Sequence, residues 1–249
     1  MKRTGYAALL MILIIGLLTG CGKEADADTN TVSVAKNGKI TSYDFEEFDK
    51  SYYDEDELKE FIDGAVEDYN TGHEKGAVKA DEVSVTDNVA KLKMTYKTAA
   101  DYEEFNGTEL YTGRVVQAIA DGYDFDVDFA GIDGDNVYGV TKSDITSQED
   151  LKVVIIKANT NVRVDGKICY VSCKNVTVTG KNTVSVKEGT GIEQTWKSEA
   201  VPSTEDVTED TEEFVVEGEV IMGTEEPESV TNLSGDLENT DVYTYIIYK

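Results

Sequence analysis

Histidine occurs once in these 249 residues, cysteine three times, and lysine plus arginine reach only 23 against 50 acidic side chains. Each shortage removes a class of function. A single imidazole, His73, cannot build a histidine-rich metal centre, and no serine or cysteine nucleophile can be set beside it from spacing. In its polar stretch after Gly72 it reads as a solvated loop residue rather than a base or a ligand. GxSxG, HExxH and a phosphate-cradling glycine loop are all missing. A formal net charge of −27 leaves no basic face to release counterions from phosphates, so nucleic acid is not a partner. Long apolar runs are lacking too: Ala7 to Leu18, interrupted only by Gly16, stops well short of the roughly 20 residues a bilayer core demands.

What is there begins with that run. Lys2 and Arg3 precede it, and Leu18-Thr19-Gly20-Cys21 closes it with small residues before a cysteine. The arrangement resembles the bacterial lipobox. The resemblance implies that residues 1–20 are a lipoprotein signal peptide and that the Cys21 thiol takes a diacylglyceryl group. The body is then extracytoplasmic and lipid-anchored to the cell membrane. One acyl chain, a palmitate for instance, holds a protein only marginally, whereas two hold it stably. Loss of Lys2 and Arg3 with the signal moves the charge from −27 to −29. Anionic lipid repels such a body, so the anchor holds it close but not flat. Partners that suit the charge are cations: divalent metals, basic peptides or positively charged envelope components. Acidity also serves plain solubility.

With Cys21 assigned to lipid, Cys169 and Cys173 remain, four apart in ICYVSC. An exported compartment permits a disulfide. Along one extended strand an i,i+4 pair is about 13 Å apart, while bridged Cα atoms lie within roughly 7 Å. A bridge therefore requires a bend at Val171-Ser172; without it, two reduced, half-buried thiols result. Neither a CxxC redox motif nor a zinc ligand set is present.

Residues 21–30 read as a polar tether. Thr31 to Ala35, an Asn37-Gly38 turn and Ile40 to Tyr43 predict a hairpin. Leu58, Phe61, Ile62, Ala65, Val66 and Tyr69 recur as one face of a helix of about four turns, with Asp54 as N-cap and Gly72 just past the end. Phe45, Phe48, Tyr52 and Tyr53 form a helical or irregular lead-in whose rings either stack on a glycan or seat the helix in the core. Val83 to Val85 and Val89 to Tyr96 make a second hairpin around Thr86-Asp87-Asn88. Short helices follow at Ala99 to Phe105 and Gly113 to Ala120, then strands at Tyr123 to Phe129, Val137 to Thr141 and Leu151 to Lys157. Short alternating strands complete the body: Val162 to Val164, Ile168 to Ser172, Val176 to Thr179 and Val184 to Val186. Strands mixed with segregated helices predict an α+β domain over residues 31–187, mainly antiparallel, with one longer amphipathic helix. Residues 188–241 carry 17 acidic side chains against Lys197 alone and both prolines, the composition of a disordered, self-repelling segment. Val242 to Lys249 alternates like a strand and is expected to dock back onto the domain.

The tract carrying Phe48, Tyr52, Tyr53, Glu57-Leu58, Ile62 and Tyr69-Asn70, with the lipobox and the terminal YIIYK, resembles uncharacterised lipoproteins of anaerobic Gram-positive, Clostridia-type bacteria. These motifs are structural in type, and the resemblance implies no catalytic residue.

Alternation in DFDVDF places Asp124, Asp126 and Asp128 on one strand face and Phe125, Val127 and Phe129 on the other. With Asp133 and Asp135 of the next turn the carboxylates suggest Ca²⁺. At i, i+2 and i+4 on a straight strand, however, they stand too far apart to surround one ion, and a solvent face opposite a buried one explains them better. The sequence therefore points to a membrane-anchored lipoprotein that binds a partner or organises the envelope without catalysis. No cofactor is called for. The alternative is a carbohydrate-acting or cation-dependent envelope enzyme using paired carboxylates. Ligand identity and oligomeric state are not written in the sequence.

Overall fold

The computed structural model describes residues 26–194 and 242–249. The lipobox with Cys21, and the acidic segment from residue 195 to 241, lie outside the described residues. Within them the chain is α+β and mainly antiparallel. The elements run β1 (Thr31–Val34), β2 (Ile40–Glu47), α1 (Glu55–Gly72), β3 (Val78–Thr86), β4 (Val89–Tyr96), α2 (Ala99–Asn106), β5 (Leu110–Arg114) and α3 (Val115–Ala120). They continue with β6 (Phe129–Asp133), β7 (Asn136–Val140), α4 (Lys142–Thr146), β8 (Lys152–Ile156), β9 (Thr160–Val164), β10 (Ile168–Ser172), β11 (Lys174–Gly180), β12 (Thr183–Gly191) and β13 (Thr244–Tyr248).

Two sheets form. Sheet A has the order β11-β12-β9-β1-β2-β4-β3, and sheet B the order β5-β8-β13-β10-β6-β7. The β1–β9 pair is parallel, Val32 opposite Val162; every other pair is antiparallel. Local chemistry sets the hairpins. Gly38 takes φ +84° beyond Asn37 and closes β1 onto β2. Asp87 and Asn88 both take the left-handed conformation (φ 53° and 60°), the two-residue turn whose twist suits a hairpin, between β3 and β4.

The period of two then sorts side chains into two cores. On β8, Val154 and Ile156 face sheet A while Val153 and Ile155 face the opposite way; on β13, Ile246 and Tyr248 alternate in the same manner with Tyr245 and Ile247. The first set packs with Val162, Val164, Val184 and Val186 of sheet A, and with Ile62 of α1 and Tyr102 and Phe105 of α2. The second packs under Val115 and Ala118 of α3, Ile145 of α4, and Phe125 and Phe129. Sheet B is thus covered on both faces, which is why β8 and β13 read as nearly continuous apolar runs.

Several expectations are corrected. Residues 26–30 are not a free tether: Ala27 is buried, Asp26 Oδ1 accepts from Lys93 Nζ at 2.6 Å, and Asn30 Oδ1 accepts from Phe45 N–H at 2.8 Å. Phe45 belongs to β2, where it lies opposite Lys91. Strand β12 runs to Gly191, past the boundary at 187 drawn from composition. Gly113 belongs to β5, and both β5 and α4 were hidden by their brevity. Tyr123 to Asp128 is not a strand. Asp124 Oδ1 accepts from Asp126 N–H at 2.8 Å in an Asx turn, and Phe125 folds beneath Tyr245 with ring centroids 5.0 Å apart. The considered bridge is not formed: Cys169 and Cys173 are not joined by a disulfide, the first lying on β10 and the second just past it. The strand stays extended, so no bend brings them together.

Candidate functional site

Helix α1 lies on sheet A against β3, and its sequence explains which face is buried. Leu58, Ile62, Ala65, Val66 and Tyr69 pack on the core, Ile62 fully. Asp54 caps the start, its Oδ1 accepting from Asp56 and Glu57 N–H at 2.9 and 3.0 Å. Gly72 is the last helical residue rather than the one beyond, and His73 is the C-cap.

Phe61 departs from the expected stripe. It is about 100° around the helix from Ile62, on the flank, and remains 56% exposed. Tyr52 and Tyr53, just before the helix, are 74% and 43% exposed. Their rings sit edge to face at 4.9 Å, and Tyr53 stacks on Phe48 at 4.7 Å. These aromatics do not seat the helix. They stand in solvent beside its acids.

The acids are the second component. Glu55, Asp56, Glu57, Glu60, Asp63, Glu67 and Asp68 share α1 with one cation, Lys59, held by Glu55 at 2.7 Å. The first three suit the positive N-terminal end of the helix. Glu67 and Asp68 do not: the last turn contains no basic residue, and carboxylates near a C-terminus cost rather than stabilise.

Helix α2 extends the acidic face. His73 Nε2 lies 3.1 Å from Glu104, its Nδ1 is 2.8 Å from the Tyr69 carbonyl, and its ring stacks on Tyr69 at 3.8 Å. The Tyr69 carbonyl and Glu104 together raise the His73 pKa, because both favour a ring with two N–H donors. His73 is an exposed residue just past α1, as the sequence suggests, and from there it also bridges to α2. The Tyr69 hydroxyl reaches Asp101 and Glu104 at 3.4 Å, and burial with these carboxylates pushes its pKa upward.

One carboxyl on sheet A stands apart. Asp44 of β2 faces inward, and loss of solvent raises its pKa to about 6, although Ser42 Oγ donates to it at 2.9 Å and opposes the shift. Glu46 on the same face pushes it further upward.

The aspartates considered for calcium serve different partners. Asp126 pairs with Lys142 at 3.1 Å, Asp128 Oδ2 accepts from Gln194 at 2.9 Å, and Asp133 pairs with Lys167 at 3.1 Å. Among the described residues no group of three or more His, Cys, Asp or Glu side chains is placed to hold a metal ion. No described helix is long and apolar enough to cross a membrane. Comparison with known proteins gives no match: no family model, no curated protein and no solved structure is similar to the chain.

Sequence reasoning placed Phe61 on the apolar stripe of α1, left Tyr52 and Tyr53 between a glycan and the core, and did not single out the acids of α1. Phe61's angular offset from the centre of the stripe was the signal available. For Tyr52 and Tyr53, outside any periodic element, there was none.

Proposed function

We propose that this chain is an extracytoplasmic lipoprotein, anchored through Cys21, that binds a cationic partner on the acidic, aromatic-studded face of α1. The partner is a basic peptide or a positively charged envelope component. The observation that carries the reading is the composition of that face: seven carboxylates against one paired lysine, with exposed aromatic rings beside them. Such a helix repels itself. A cationic partner relieves the repulsion on binding, and the ring faces of Tyr52, Tyr53 and Phe61 attract ammonium and guanidinium groups at about 0.5–1 kcal/mol each at exposed sites. Tethering by lipid places the site near the membrane without laying it on anionic headgroups.

Fluorescence anisotropy with labelled decalysine tests the binding. The mature chain bearing Cys21→Ser is expected to bind with an affinity that falls steeply with salt. The triple variant Glu60→Gln, Asp63→Asn, Glu67→Gln is expected to bind at least tenfold more weakly. Equal binding by the triple variant would remove α1 as the site. Membrane fractionation tests the anchor separately: the wild-type chain sediments with membranes, and Cys21→Ser releases it.

A further inference from the structure

A cleft of about 200 Å³ opens at one end of the gap between the sheets, lined among others by Lys36, Gly38, Thr112, Arg114, Lys152 and Tyr248. Lys36 comes from the turn between β1 and β2 of sheet A, and the last three from the facing sheet B. Carboxylates abound in this chain, yet none lines the cleft. Asp165, whose charge helps raise the Tyr248 pKa, is near but not among the lining residues.

Convergence in one cleft, rather than the lack of an ion pair, sets these cations apart. Lys36, Arg114 and Lys152 are in no ion pair among the described residues, but neither are Lys39, Lys75, Lys174, Lys181 and Lys187. Arg114 and Lys152 are also direct cross-strand neighbours on β5 and β8. Like charges so placed, with Cβ atoms about 5 Å apart, repel and weaken the pairing. In a chain with more than two carboxylates per cation, nothing in the fold requires that juxtaposition. Tyr248 of β13 continues the row beyond Lys152, whose ammonium lies 6.0 Å from its ring.

We propose that this cleft binds a small, soluble phosphate monoester. Charge selects the class. A carboxylate brings one negative charge to three cations, whereas a phosphate monoester brings about −1.5 to −2 and three strong acceptor oxygens. The Arg114 guanidinium presents a planar fork for two of those oxygens, and the lysines act as point charges around them. The volume admits the phosphate and a few carbons over the Tyr248 ring, not a polymer. A lipid headgroup is disfavoured because an anionic bilayer repels a body of this charge.

Calorimetric titration of the Cys21→Ser chain with glycerol 3-phosphate tests the assignment, with glycerol, acetate and vesicles carrying phosphatidic acid as comparisons. Saturable binding at one site is expected for glycerol 3-phosphate and not for glycerol or acetate. Arg114→Gln is expected to weaken it at least tenfold while leaving the ligand-free melting temperature unchanged or higher, since it relieves the repulsion with Lys152. Lys36→Gln, on an exposed turn, is expected to weaken binding severalfold and serves should Arg114→Gln fail to fold. Lys181→Gln, in a separate cleft, is expected to change nothing. No saturable heat, equal affinity for acetate, an effect of Lys181→Gln as large as that of Arg114→Gln, or binding to vesicles alone would each overturn it.

Discussion

Replacing Asp44 by asparagine should stabilise the protein, and only above about pH 4. The side chain belongs to a chain of polar contacts that ends on α2: Ser42 Oγ donates to Asp44, lies 3.5 Å from the Tyr96 hydroxyl, and Tyr96 in turn donates to Asn106 Oδ1 at 3.3 Å. Burial raises the folded pKa from 3.8 to about 6. The folded state therefore holds its proton more tightly than the unfolded chain. Below pH 3.8 both states are protonated and there is no cost. As the pH rises to about 6 the unfolded chain ionises first, stability falls, and the loss persists above. A shift of about two units corresponds to roughly 3 kcal/mol at 1.36 kcal/mol per unit, an upper bound. Asparagine keeps an oxygen that accepts from Ser42 and has no charge to bury. Urea unfolding at pH 8 should show Asp44→Asn more stable by about 1–3 kcal/mol, and at pH 3.5 by close to zero. An equal difference at both pH values, or a loss at pH 8, would refute the reasoning.

Other consequences follow from the same structure. Ile246→Ala removes a fully buried side chain from the middle of sheet B and should cost about 2–5 kcal/mol by chemical denaturation; a loss under 1 kcal/mol would mean that β13 is not integral. His73 should titrate above 6.5 by NMR, and Glu104→Gln should lower its pKa. Because that folded pKa is raised, the stability it lends is full below about pH 6.5 and lost as the pH climbs through the folded value; the opposite trend would exclude the Glu104 contact. In the native chain both thiols should resist iodoacetamide, Cys173 being buried and the Cys169 thiol pushed up by burial, and both should label in urea. A bridged pair in the non-reduced chain would contradict the extended β10.

The α+β class and the hairpins were legible because each rests on contacts close in sequence. Asn37-Gly38 and Asp87-Asn88 specify their turns whatever surrounds them, and the spacing of Leu58, Ile62, Val66 and Tyr69 names a helix by itself. Where neighbouring residues compete with distant ones, the reading failed. Alternation in Asp124 to Phe129 suits a strand equally well, but Tyr245, more than a hundred positions away, draws Phe125 beneath it and the backbone turns. The spacing of α1 admitted Phe61 to the apolar stripe, yet packing on the sheet left it 56% exposed.

By itself the sequence determined the charge, the apolar N-terminal run, the periodicities and the turn chemistry, because these depend on composition and on residues within a few positions of one another. Tertiary structure alone decided that β13 lies between β8 and β10, that His73 meets Glu104, and that Lys36, Arg114 and Lys152 share one cleft. Residues 36, 114 and 152 carry no mutual signal along the chain. Only strand pairing and sheet packing, in which apolar faces far apart in sequence are buried together, bring them to one place.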